Sequence, residues 1–106
     1  MNNENNITVG EDMTKIVVAK LKSKNENFDE LKKFLKEKLP EAKAFDGCKG
    51  IHACVDEEKK TIVLYEIWES VDHHQKYVEW RKQQGVHDKI SKMLSERSFG
   101  YYSFLV

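Results

Sequence analysis

Apolar and polar residues change rhythm several times along this chain, and each change marks an element. Residues 14–22, TKIVVAKLK, are β-branched and alternate towards their end, which predicts a strand. The polar turn at 23–26 follows. Asn27 then stands where it can cap a helix, with Glu30 three residues later in a capping-box-like arrangement. Phe28, Leu31, Phe34, Leu35 and Leu39 recur at helical spacing and give one apolar face. Pro40 is expected to stop this helix, because it drives the preceding residue out of helical space. A short helical turn is expected around residues 42–45.

Asp46-Gly47 marks the next turn. Residues 49–56, KGIHACVD, read as a second strand, and the polar stretch 57–60 suits a hairpin. Residues 61–69 read as a third strand. There Ile62, Leu64, Glu66 and Trp68 share one face, while Val63, Tyr65, Ile67 and Glu69 share the other. Mostly apolar residues on both faces predict a strand covered on both sides and central in its sheet. Ser70 suits a helix N-cap, Asp72 complements the helix dipole, and Gly85 is a natural C-terminal breaker. Val86, Ile90, Met93 and Leu94 mark a shorter amphipathic helix, and residues 99–106, FGYYSFLV, an aromatic last strand.

The predicted order is β-α-β-β-α-β with one extra short helix. It suits an α+β ferredoxin-like fold, a four-stranded antiparallel sheet with helices on one face. The length supports a single domain over residues 14–106, preceded by a polar, asparagine-rich lead-in at 1–13 that is expected to be flexible. The second sheet face carries Val63, Tyr65 and Ile67 and a matching half of Tyr101, Tyr102, Phe104 and Val106. That is more apolar area than a monomer leaves in water, so a symmetric homodimer through the open face is expected.

Charge narrows the field by exclusion. Eighteen basic and eighteen acidic residues balance, so no global field favours nucleic acid. Lys32, Lys33, Lys36 and Lys38 alternate with Glu30 and Glu37 and read as a solvated helix face. No apolar run reaches the roughly 20 residues needed to cross a bilayer. The first residues lack the basic and apolar regions of an export signal, and a cytoplasmic location is expected. Cys48 and Cys54 lie six apart in one strand, about 20 Å at roughly 3.3 Å per residue, too far for a disulfide. They read as two small buried thiols, and their spacing matches no metal motif.

The chain resembles the antibiotic biosynthesis monooxygenase (ABM) domain proteins. The resemblance rests on the opening strand KIVVAKL, on Asp46-Gly47-Cys48, on Tyr65 to Glu69 (YEIWE), and on YVEWRKQQG from Tyr77 to Gly85. It implies a dimeric α+β barrel with a ligand cavity between sheet and helices. It also implies that Trp68 projects into that cavity, with Glu66 sharing its face. The family includes cofactor-free monooxygenases of quinol-type substrates. Two family constellations do not carry over. The first strand lacks the asparagine of haem-degrading members, whose helical histidine is replaced here by Tyr77-Val78. The third strand lacks the asparagine that precedes the tryptophan in aromatic-polyketide oxygenases.

The helix supplies the remaining candidates. His73, Tyr77, Trp80 and Gln84 form one row, and His74, Val78, Arg81 and Gly85 the adjacent one. The row containing His74 reads as more buried, so His74 is preferred as the cavity residue, with His73 as the alternative. His74 and Trp68 are thus the expected catalytic residues, and Glu66, His73, Tyr77 and Arg81 the expected substrate contacts. An arginine can also simply pair with Glu66 or an exposed carboxylate. His52 and His87 read as structural or solvent-facing. Neighbouring helical histidines diverge by about 100°, so no metal site is expected. The resemblance to cofactor-free members implies that no cofactor is used. The leading expectation is a cofactor-independent monooxygenase of a small aromatic or quinol-like molecule. The alternatives are a non-catalytic dimer that binds a small hydrophobic ligand, or a purely structural dimer.

Overall fold

The computed structural model describes residues 13–106 of the chain, so most of the lead-in expected at 1–13 lies outside the described residues. Four strands and three α-helices follow: β1 (Lys15–Ser23), α1 (Phe28–Lys43), β2 (Cys48–Asp56), β3 (Thr61–Trp68), α2 (Val71–Gln83), α3 (Val86–Met93) and β4 (Leu94–Tyr102). The strands form one antiparallel sheet in the order β2-β3-β1-β4. This is the expected ferredoxin-like arrangement, and β3 is an interior strand as its two-sided apolar pattern demands.

Register determines which side chains meet the helices. Val17, Ala19 and Leu21 of β1 pair with Glu66, Leu64 and Ile62 of β3 and with Tyr101, Phe99 and Arg97 of β4. All of these side chains belong to the helix-covered face. Two apolar clusters hold the helices there. One joins Leu21 and Ile62 to Phe28, Leu31, Phe34 and Leu35 of α1 and to Val86, Ile90 and Met93 of α3. The other joins Val17, Ile51 and Trp68 to Ala42, with Phe45, Tyr77 and Tyr101 packed around it. The opposite face carries Val18, Val63, Tyr65, Ile67 and Tyr102, and Tyr65 and Tyr102 are exposed.

Four local expectations need correction. Pro40 does not end α1, which runs on to Lys43 and absorbs the turn expected at 42–45. A proline inside a helix costs roughly 3 kcal/mol. Here that cost is met by the last turn, where Ala42 is fully buried and Phe45 reaches the Trp68 and Tyr77 rings. Asn27 does occupy the N-cap position, but its amide donates to the Glu30 carboxylate at 3.1 Å rather than its side chain capping the backbone. The last strand starts at Leu94, directly after α3, and ends at Tyr102 instead of spanning 99–106.

The two cysteines are unpaired thiols, but only Cys48 is even partly buried, and Cys54 is exposed. A β-bulge between Cys48 and Gly50 explains the difference. The extra residue shifts side-chain parity, so Cys48 sits opposite Trp68 on the helix side and Cys54 opposite Val63 on the open side. Ser70 caps α2 as expected, accepting from the His73 backbone N–H at 3.2 Å. Gly47 and Gly85 both adopt positive φ, at 88° and 78°. Among the described residues no helix is long and apolar enough to cross a membrane.

Candidate functional site

Between the two apolar clusters the helices stand off the sheet and leave a cavity of about 740 Å³. Its floor is Val17, Ala19, Leu64, Glu66, Phe99 and Tyr101, and its roof is drawn from α1, α2 and α3. That volume matches a small organic ligand. Most of the wall is apolar, with Glu66, His74 and Tyr101 gathered at one end and Lys82, His87 and Arg97 among its other polar groups.

His74, on the second turn of α2, is buried at that end. Its Nδ1 lies 2.7 Å from the Tyr101 hydroxyl, and its Nε2 lies 3.8 Å from Glu66 Oε1. Burial drives the imidazole pKa down to about 4, so the ring is neutral at neutral pH. The carboxylate beside Nε2 favours the tautomer with its proton there, which leaves Nδ1 to accept from Tyr101. Burial pushes the Glu66 carboxyl up, against the opposing hydrogen bond from Trp68. The Trp68 indole N–H donates to Glu66 Oε1 at 2.8 Å.

Trp68 does not project into the cavity. It is fully enclosed, with Tyr77 at 5.1 Å between ring centroids and His74 edge-on at 5.5 Å, and it meets the cavity only through Glu66. Bulk explains this: a ring of that size at the end of an interior strand fills the space beneath α2. His73 also lies outside the cavity. Its Nδ1 sits 2.7 Å from Ser70 Oγ, its ring packs over Gly47, and Asp46 and Glu69 are both 3.9 Å from Nε2. Of the two histidines, the structure therefore brings only His74 into the cavity wall.

Tyr77 and Arg81 do line the cavity. Arg81 is buried and almost fully engaged. Its Nε donates to the Tyr77 hydroxyl at 2.9 Å, and Nη1 donates to Glu41 at 2.9 Å and Gln84 at 3.1 Å. Nη2 donates to the Lys38 carbonyl at 2.7 Å, two residues before Pro40. Its charge also lies over the Trp80 and Tyr77 rings. Arg81 thus clamps α1 to α2, and its carboxylate partner is Glu41 rather than Glu66. The Tyr77 hydroxyl is pushed up by burial, more than the Arg81 bond pulls it down. Among the described residues no group of three His, Cys, Asp or Glu side chains is arranged to hold a metal ion.

The sequence profile of the antibiotic biosynthesis monooxygenase family matches residues 14–89, most of the chain. The chain belongs to that family. Solved structures agree on the fold. A conserved protein from Methanosarcina mazei Go1 is 18% identical, with a TM-score of 0.76 over 90% of this chain and 96% of that one. Rv0793 from Mycobacterium tuberculosis is 15% identical, with a TM-score of 0.78 over 88% and 96%. A structure described as an antibiotic biosynthesis monooxygenase is 14% identical, with a TM-score of 0.78 over 87% and 99%. No curated protein matches the chain.

In this ABM-family chain the sequence reading missed Tyr101, the direct partner of His74, and Phe99, whose ring is 6.2 Å from His74. The signal was present in SERSFGYY. Alternation from Arg97 through Phe99 to Tyr101 assigns these three to one face, and the pairing of Val17 with Tyr101 makes that the cavity face. Phe45 was missed as well. It stands at the α1 C-terminus, 5.1 Å from the Trp80 ring and 6.3 Å from Trp68, and it closes the aromatic wall behind Tyr77.

Proposed function

We propose that this ABM-family chain is a cofactor-independent monooxygenase of a small aromatic or quinol-like molecule bound in the cavity. The reading is carried by the line Tyr101–His74–Glu66, its last two members buried, at one end of a largely apolar cavity. An electron-rich phenol or quinol supplies its own electrons to O₂ once a proton is removed. The substrate then loses two hydrogens and gains one oxygen atom, and the second oxygen leaves as water.

A phenol with a pKa of about 10 giving its proton to an imidazole at about 4 is uphill by about 8 kcal/mol, at 1.36 kcal/mol per unit. His74 alone is therefore a costly final acceptor. Burial raises Glu66 and makes it the better acceptor: the substrate gives its proton to the Tyr101 oxygen as the Tyr101 hydroxyl proton passes to His74 Nδ1, and the Nε2 proton passes on to Glu66. Such a relay moves negative charge from Glu66 to the substrate without adding net charge to the buried end. The Nε2 to Oε1 gap of 3.8 Å must close by roughly 0.7 Å to reach hydrogen-bond range. In this scheme Trp68 orients Glu66 as a positioning residue. Tyr77 and Arg81 hold the wall against which the substrate rests.

The second reading is a module that binds a small hydrophobic ligand and performs no chemistry. The saturation of Arg81 favours it, since little of that guanidinium remains for a developing oxyanion. In either reading the molecule pairs with a second copy through the open sheet face, where Tyr65 and Tyr102 are exposed.

The test is oxygen uptake by metal-free protein with a panel of quinols and hydroxy-aromatics. Turnover above background is expected, with a loss of about 10²-fold or more in His74→Gln and in Glu66→Gln. Saturable binding without oxygen uptake would establish the binding module instead. Sedimentation should give a dimer that Tyr65→Lys disrupts.

A further inference from the structure

The far end of the cavity has a different chemistry from the Glu66 end. Lys82 at the end of α2, His87 on the first turn of α3 and Arg97 of β4 all line it. Arg97 donates to Ser91 Oγ at 2.6 Å. Among the described residues neither Arg97 nor Lys82 has a carboxylate within 4 Å. This contrasts with Arg81 and Lys38, the other cations of the wall, which are both paired with Glu41. Glu79 also lines the cavity, yet it forms no ion pair with either. The positive end of α3 opens at the same place, because Gly85 provides its N-cap without a side-chain hydrogen bond and Val86 and His87 lie in the wall.

The electrostatics of this end agree with the geometry. Partial burial, then Arg97 and Lys82, hold the His87 imidazole below its usual range, while Asp88 opposes them. Partial desolvation of its guanidinium beside the cavity also lowers Arg97, although the residue as a whole is exposed. Arg97 and Lys82 therefore stand beside His87 at the cavity wall, and among the described residues neither cation is paired with a carboxylate there.

We infer that Lys82, His87 and Arg97 form a subsite for an anionic group, so that the cavity takes an amphiphilic ligand with an aromatic body and a carboxylate or phosphate head. This inference rests on the reading of the cavity as a small-molecule site. The dimensions fit it. Arg97 stands four residues from Tyr101 along β4, about 13 Å at 3.3 Å per residue. A bicyclic body with a head group spans most of that distance, placing its far hydroxyl near Tyr101 and its anion between Lys82 and Arg97. The head would also fix which edge of the ring system meets His74.

The experiment is isothermal titration calorimetry with three probes that share one bicyclic body: 1-naphthol, 1-naphthoic acid and 1-naphthyl phosphate. At least one anion should bind about tenfold or more tightly than the neutral phenol, the scale of hydrogen bonds to charged groups. Which anion gains identifies the head as carboxylate or phosphate. Arg97→Gln and Lys82→Gln should each remove most of that preference and leave 1-naphthol affinity within about twofold; both side chains are exposed enough to change without unfolding the chain. Equal affinity for all three probes would overturn the inference while leaving the cavity reading intact. So would variants that weaken all three probes alike, or none of them. If no probe binds, including 1-naphthol, the cavity reading fails and this inference fails with it.

Discussion

Trp68→Phe separates the two jobs assigned to the buried indole. The wild-type ring is fully enclosed, and its N–H is the one hydrogen bond to the Glu66 carboxylate found among the described residues. Phenylalanine keeps most of the bulk, and the small void it leaves costs about 1 kcal/mol. The lost N–H strands a carboxylate oxygen at a residue only 5% exposed, which costs about 1.5–3 kcal/mol for a bond to a charged group. A total of about 3 kcal/mol is expected at pH 8. In a Glu66→Gln background the same substitution strands only a neutral carbonyl and should cost about 1 kcal/mol less. The assay is urea unfolding followed by far-ultraviolet circular dichroism, with all four proteins at one concentration so that any association cancels. An identical cost for Trp68→Phe in both backgrounds would refute the argument and leave Trp68 as a packing residue alone.

The other predictions follow from the same geometry. His74 is neutral when folded, with its pKa at about 4, but titrates near 6.5 when unfolded, so it contributes nothing above that pH and destabilises the fold as pH falls from 6.5 towards 4. The slope is at most about 1.4 kcal/mol per pH unit, and Glu66, raised by burial, works in the opposite direction, so the difference between wild type and His74→Gln isolates it. Urea midpoints that run parallel for the two proteins over this window would reject it. Arg81→Lys keeps the charge but loses the fork that joins Tyr77, Glu41 and the Lys38 carbonyl, and a loss of about 2 kcal/mol is expected by thermal melting. Glu41→Gln should cost less than that, because the carboxylate is half exposed. Gly47→Ala should destabilise more than Gly85→Ala: both have positive φ, but a Cβ at Gly47 collides with the His73 ring and one at Gly85 meets open space. The Gly85 cost should be about 1 kcal/mol.

Much of the local structure was legible because it depends on spacing alone. The period of Phe28, Leu31, Phe34 and Leu35 requires a helix with one buried face, and all four are buried. The alternation in TIVLYEIW separates Glu66 and Trp68 from Tyr65 and Ile67 whatever the neighbouring strands do. Where spacing failed, a tertiary contact overrode it. Pro40 is accommodated because Ala42 and Phe45 must reach the core. Cys54 faces out because one bulge in β2 reversed parity, and a bulge depends on the partner strand.

The sequence by itself determined the order of elements, the faces of β3, the caps at Ser70 and Gly85, and a buried histidine on the second helix. These follow from backbone periodicity and sterics, which act over a few residues. Only the tertiary structure decided that Tyr101, some 27 residues beyond His74, is its hydrogen-bond partner. It also decided that Trp68 serves Glu66 rather than the cavity, and that Arg81 is used up holding α1 to α2. Each depends on the register of strands far apart in the chain and on which side chain fills a gap first. Those are properties of packing in three dimensions, and no local pattern encodes them.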